Sequence, residues 1–378
     1  MAKTDCSSSL PPAFEPVPQS LTQSRADCRS SISVSQIPRG SMHGLVRLIL
    51  NTLTYGPLYS AARYRMSSET PLDPVENWTF WTEPKNRMTE FLARNYPPDF
   101  ARRRILKPML AQDHAVGIES HYDISNDFYK LFLDREFMFY SCARFLSAGE
   151  TLEDAQRNKA QLILSLIDPK AGEKILDLGC GWGSMLNCIY EVTGDRDNLS
   201  GCTLSRQQLA YIKSELGFNV SLTNFITTAY KEASYDKIVS IGAREHVRPN
   251  EILGLLRKLY NALKPGGKLV EQFFSLNNEK CPTSMLLGQL FFPGSSLSTH
   301  SFHLLTAEQA GFEIIHDSVD DYRPTLKAWY ENLVTNKERA INLVGVATYN
   351  KYLIFFPMAW RFFDDEEARV HRLALKKV

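Results

Sequence analysis

An aspartate followed by glycines at alternate positions, Asp177-Leu178-Gly179-Cys180-Gly181-Trp182-Gly183, is the stretch of this chain whose residue types are best suited to chemistry. The apolar run Lys174–Leu178 before it reads as a buried strand opening into a ligand-binding loop. Glycines there admit a ligand close to the backbone, since no Cβ intervenes. The loop lacks the Gly-Lys-Ser/Thr ending of a phosphate loop and the full GxGxxG dinucleotide fingerprint. A D-x-G-x-G-x-G turn suits S-adenosylmethionine, whose ammonium Asp177 or nearby carbonyls would hold. Asp177 also has the alternative role of capping the next helix. Gly179, Gly181 and Gly183 are expected along the methionine and ribose portion, Thr203 and Gln208 near the ribose hydroxyls, and Tyr140 and Ser141 over the cofactor. Ser205 reads equally well as the N-cap of the helix that begins at Arg206.

Those residues require a scaffold of strands separated by helices. Strand-like text covers Lys174–Leu178, Leu199–Thr203, Val220–Leu222, Lys237–Ile241 and Lys268–Phe273. Helical text covers Arg206–Leu216 and Glu251–Leu263, the latter ending at Pro265-Gly266-Gly267. This order predicts an α/β fold with a doubly wound, mostly parallel sheet and ligands at the carboxyl ends of its strands. Residues 1–42 read as a disordered tail, 43–114 as a helical N-terminal region and 115–378 as the cofactor domain with helical cap segments. The run from His43 to Met66 is too short and interrupted to span a bilayer, so it reads as a packed or membrane-surface helix. A polar connector is expected over Ser67–Pro84.

Composition narrows the partners. With 43 basic and 42 acidic residues among 378, the net charge of +1 gives no global field to recruit nucleic acid. Seven scattered cysteines without a CxxC pair indicate neither a disulfide framework nor a zinc knuckle. The expected location is cytoplasmic, with membrane association of the amphipathic run left open. His300 and His303 lie in a Ser/Thr-rich stretch without a matching acid, so no metal site is expected. The apolar stretches Cys281–Phe292 and Tyr349–Phe363 read as core or as lining for an oily substrate.

Several segments in order resemble the cyclopropane-fatty-acid synthase family, including the mycolic acid methyltransferases. They are His121-Tyr122-Asp123, Asn126–Tyr129, Tyr140–Ala143, Ala155-Gln156 with Lys159, the glycine turn, Gly201–Ser205 with Gln208, and Ile241–His246. Leu263–Gly267, Phe292-Pro293-Gly294 and Ala328–Tyr330 complete the set. The resemblance implies a class I S-adenosylmethionine-dependent methyltransferase acting on the double bond of an unsaturated acyl chain or similar apolar alkene, with a methyl branch or a cyclopropane as product. It also implies a bound bicarbonate as base, with Cys142, Glu245 and Tyr330 among its holders. Gln272 stands where the family has a histidine; glutamine carries no proton, which argues against bicarbonate recruitment and ring closure. Arg244 departs from the family's aromatic residue, and its expected role is to attract an anion or to answer Glu251 or Asp236. The alternatives are methylation of a small amine or specialised metabolite on the same scaffold, and a non-catalytic cofactor-binding or membrane-surface scaffold protein.

Overall fold

Among the described residues, seven strands, numbered in chain order with ranges given below, form one sheet in the order β3-β2-β1-β4-β5-β7-β6. The computed structural model describes residues 59–83, 124–277, 282–292 and 296–378. The tail over 1–42, most of the 43–114 region, His121-Tyr122-Asp123, Cys281 and Pro293-Gly294 lie outside those residues.

Five strands run parallel: β1 (Ile175–Leu178), β2 (Leu199–Thr203), β3 (Asn219–Leu222), β4 (Tyr235–Ile241) and β5 (Leu263–Leu276). The last two, β6 (Phe312–Asp320) and β7 (Ala368–Lys377), are antiparallel additions, β7 lying between β5 and β6. Neither was expected from the sequence. Helices alternate with the strands: α1 (Pro74–Thr82), α2 (Asn126–Tyr129), α3 (Leu152–Ile167), α4 (Ser184–Thr193), α5 (Arg206–Tyr211) and α6 (Pro249–Ala262). Towards the C-terminus follow α7 (Pro282–Phe291), α8 (His300–Gln309), α9 (Arg323–Thr335) and α10 (Lys337–Asp364).

The period-2 alternation of the strands sorts side chains onto two covered faces. Ile175, Leu199, Val239 and Val270 pack beneath α3 and α4, against Ile163, Ile167, Leu186 and Ile189. Their neighbours Leu176, Ile238 and Leu269 face the other way, against Ile252, Leu256 and Leu259 of α6 and Ala307 of α8. A third, aromatic layer joins α2, α9 and α10 through Phe128, Phe132, Trp329, Tyr352 and Phe356. The Tyr349–Phe363 stretch therefore serves as packed core, with Tyr349, Leu353, Phe356 and Phe362 buried.

Several boundaries differ from expectation: β4 starts at Tyr235 and β5 runs beyond Lys268–Phe273 at both ends, and the Arg206–Leu216 helix becomes π-helical over Ile212–Leu216. The Ser67–Pro84 connector contains α1, begun by Pro74 at its first position and capped by Asp73, which accepts from the Glu76 amide at 2.7 Å. The helix expected to reach Leu263 ends at Ala262, because Leu263 already pairs with Tyr235 and the Pro265-Gly266-Gly267 turn is carried within β5.

Candidate active site

At the carboxyl ends of β1, β2 and β4 opens a cavity with about 990 Å³ of free space, counting its solvent-open mouth. Tyr140, Ser141, Asp177, Gly179, Gly181, Thr203 and Gln208 all line it. Gly179 has a φ of +69°, and a Cβ there would stand 2.7 Å from the Ala243 Cβ, so only glycine fits between the two loops. Asp177 is 2 % exposed, and burial pushes its carboxyl up to about 7. Its Oδ1 has no partner within the protein. Helix α4 takes Gly183 as its N-cap without a side-chain bond, so Asp177 does not cap it. Gly183 itself is absent from the cavity wall; it supplies a left-handed turn packed on Ile212 and Leu216.

Beyond β2, Ser205 caps α5, accepting from the Gln208 amide at 3.2 Å. Thr203 Oγ1 donates to Gln208 Oε1 at 2.7 Å and accepts from the Ser205 amide at 3.1 Å. Thr203, Ser205 and Gln208 are thus fixed as one unit on the cavity wall. Thr223, Asn224, Phe225 and Ile226 also line the cavity, as do Trp182 of the glycine turn and His246 of the Ile241–His246 segment, to none of which the sequence assigned a site role. The signal was positional: the loop after β3 faces the same crevice.

The segment Met138–Ser141 covers the cavity and is held from beneath. Asp134 accepts from the amides of Phe137, Met138 and Phe139 at 2.5, 3.1 and 2.9 Å. From α3, Gln156 Nε2 donates to the carbonyls of Phe139 (3.3 Å) and Ser141 (3.1 Å). One helical turn on, Lys159 Nζ donates to Ser141 Oγ at 2.9 Å and lies 3.6 Å from the centre of the Phe139 ring. Burial pushes the Lys159 ammonium down, opposed in part by Asp134. Replacing Gln156 with Ala strands two carbonyls in the interior, and a loss of roughly 1–3 kcal/mol is expected. Denaturant unfolding measures that loss, and weaker S-adenosylhomocysteine binding should accompany it. Unchanged binding would show that this segment does not shape the cavity.

The four residues expected to act in catalysis are buried but do not line the cavity. Glu245 sits on a short 3-10 turn, Arg244–His246, after β4. Its Oε1 is 3.8 Å from where a Cβ on the cavity-lining Gly242 would stand. Its Oε2 has no partner within the protein, and burial pushes the carboxyl up to about 8. Gln272 and Cys142 do meet: Gln272 Nε2 donates to the Cys142 carbonyl at 3.1 Å. Gln272 Oε1 accepts from Arg372 Nε at 3.1 Å, so a buried guanidinium stands beside the glutamine. Burial pushes the Cys142 thiol up to about 11, which keeps it un-ionised at neutral pH.

Tyr330 makes no hydrogen bond to Cys142, Gln272 or Glu245; its hydroxyl donates to the Pro74 carbonyl at 2.6 Å. The C-terminal segment near Cys142 is instead Asp321, whose carbonyl is 3.7 Å from Sγ. Arg244 answers neither Glu251 nor Asp236. It pairs in the interior with Glu271, while Glu251 closes the N-terminus of α6 and Asp236 pairs with Lys264 at 2.7 Å. Glu271 and Gln272 take opposite sides of β5, as strand alternation requires.

The cavity walls fit a cationic amino-acid cofactor: a glycine-lined approach, an unpartnered buried carboxylate at Asp177, and a hydroxyl–amide pair beyond β2. Sheet and site together define a class I S-adenosylmethionine-dependent methyltransferase. The chain belongs to the mycolic acid cyclopropane synthetase family, whose model matches residues 110–373. It is 32% identical over 267 residues to a sphingolipid C9-methyltransferase of Candida albicans, covering 65% of this chain and 50% of that protein. The match thus spans only half the length of that relative. Against the solved cyclopropane synthase MmaA2 of Mycobacterium tuberculosis it is 25% identical with a TM-score of 0.64, covering 71% of this chain and 99% of the other. Mycolic acid cyclopropane synthase CmaA1, solved with SAH and CTAB, is 26% identical with a TM-score of 0.62, covering 70% and 99%.

Proposed function

We propose that this protein transfers a methyl group from S-adenosylmethionine to a double-bond carbon of an unsaturated lipid chain. One observation carries the reading: Tyr140 and Trp182, on the cavity wall, also pack into the aromatic layer. Tyr140 lies 5.1 Å from Trp329 and 5.3 Å from Tyr129, and Trp182 lies 4.9 Å from Tyr129, between ring centres. The cofactor cavity therefore borders apolar rings, suited to an oily acceptor and to excluding water. The names of the Candida and mycobacterial relatives, and the long-chain ammonium amphiphile CTAB held by CmaA1, support a lipid acceptor.

When bound, the cofactor supplies an electrophilic methyl on a cationic sulfur. Transfer to one alkene carbon would break the S–CH3 bond, release S-adenosylhomocysteine and leave positive charge on the other carbon, which the aromatic faces of Tyr140 and Trp182 would stabilise. Loss of a proton from a neighbouring carbon leaves a methyl-branched alkene; loss from the new methyl closes a ring. Glu245, behind the cavity-lining Gly242 and with one oxygen unpartnered, is the carboxyl that would receive the proton in its ionised form. Gln272 spends both amide functions on Cys142 and Arg372, which supports a branch rather than a ring and speaks against a bicarbonate held by its side chain. The site of action proposed with this acceptor is a membrane surface facing the cytoplasm; among the described residues no helix is long and apolar enough to cross a bilayer.

Methyl-labelled cofactor incubated with a mixed lipid extract and a panel of amines, followed by mass spectrometry, tests the reading. Label is expected in lipids, with NMR showing a branched alkene. Label confined to amines would overturn it.

A further inference from the structure

We propose that His300, Asp317 and His371 form a binding site for a divalent transition-metal ion of the zinc class, separate from the methyl-transfer site. None of the three lines the cofactor cavity. They converge from three elements: His300 opens α8, Asp317 lies midway along β6, and His371 lies on β7. Antiparallel pairing sets Val319 opposite His371 and Asp317 opposite Leu373, so Asp317 and His371 are diagonal neighbours on one sheet face. That face is the one α8 covers, which delivers His300 to the same point.

One donor atom from each residue lies within 4.8 Å of the other two. His300 Nε2 is 2.8 Å from Asp317 Oδ2, and His371 Nδ1 is 3.9 Å from Asp317 Oδ1. The imidazole rings stack with centres 3.6 Å apart and planes 7° from parallel. A tetrahedral ion with bonds of about 2.0–2.2 Å needs its donors roughly 3.3–3.5 Å apart. To receive an ion, the His300–Asp317 pair must open from 2.8 Å, the His371–Asp317 pair must close from 3.9 Å, and the stacked rings must tilt so that their in-plane lone pairs converge; Asp317 is exposed and His300 is the first residue of α8.

A second observation points to a ligand. His371 is 4 % exposed, yet neither ring nitrogen has a hydrogen-bond partner, and His300 Nδ1 has none either. A buried imidazole always carries a donor or acceptor to satisfy, and leaving both nitrogens bare costs the desolvation of each. A metal ion coordinated by one nitrogen removes part of that cost. Two imidazoles and one carboxylate suit zinc, cobalt or nickel over calcium or magnesium, and leave a fourth position for water. The ion ties the first turn of α8 to the antiparallel end of the sheet.

Full-length protein without a histidine tag, stripped by chelator and titrated with Co²⁺, tests the site. One equivalent should bind with a visible d–d band, and Zn²⁺ should displace it. In Asp317→Asn and in His300→Gln the affinity should fall by more than about 10-fold, since even losing an outer-shell partner costs roughly 10–100-fold. The S-adenosylhomocysteine-induced rise in melting temperature should persist in both variants, showing that they are folded. Binding of less than one ion per chain, or equal affinity in both variants, would overturn the site.

Discussion

Glu245→Gln should lower turnover by about 100-fold or more while changing S-adenosylhomocysteine affinity by less than about threefold, within the usual range for a positioned acid or base. The carboxyl is buried behind Gly242 with one oxygen unpartnered, so the substitution removes charge and proton acceptance at nearly constant shape. Its elevation to about 8 has a cause, burial first and the neighbouring Glu271 carboxyl second. A cation formed nearby draws it back towards the ionised form. In the unsubstituted enzyme, kcat/KM should therefore rise with pH towards about 8, and this limb should vanish in the variant. A variant with normal turnover and an unaltered pH profile would remove Glu245 from the reaction.

The second large effect concerns Asp177. Binding of S-adenosylhomocysteine should weaken as pH falls below about 7, by up to about tenfold per pH unit, because the ammonium requires an ionised partner and the buried carboxyl is protonated there. Asp177→Asn should abolish that pH dependence and weaken binding roughly 10- to 100-fold at pH 8, the value of a charge-assisted hydrogen bond. For the free protein the sign is opposite. Both raised carboxyls bind protons in the native state that the unfolded chain has released, so stability should fall as pH rises from about 4 to about 7 for Asp177 and to about 8 for Glu245. Calorimetric titration at several pH values checks the first trend, and denaturant unfolding the second. Flat binding from pH 6 to 8 would exclude Asp177 as the ammonium's partner.

Local sequence settled those features whose cause is local. Asp177 and the glycine turn needed no distant contact to be recognised, because a strand end, an acid and residues lacking Cβ impose the loop by themselves. The same holds for the parallel strands β1 to β5, whose apolar runs reflect burial on both faces, and for Ser205, whose cap on α5 is set within three residues. Other assignments failed where partners came from far along the chain. Strand β7 reads as charged text, Arg369-Val370-His371-Arg372, yet Arg372 is fully buried because Gln272 and Asp320 receive it. Arg244 found Glu271 rather than Glu251 or Asp236. The Tyr330 hydroxyl, on α9, reaches the Pro74 carbonyl rather than bonding to Cys142.

By itself, then, the amino-acid order determined the alternating α/β scaffold, the cofactor turn and the residues along it, since these depend on backbone freedom, periodicity and short-range hydrogen bonds. Only the tertiary structure decided which buried charges pair, that Gln272 is engaged by a guanidinium, and that His300, Asp317 and His371 meet. A charged or titratable side chain enters the interior only where packing delivers a partner, and that partner's position is a property of the whole fold.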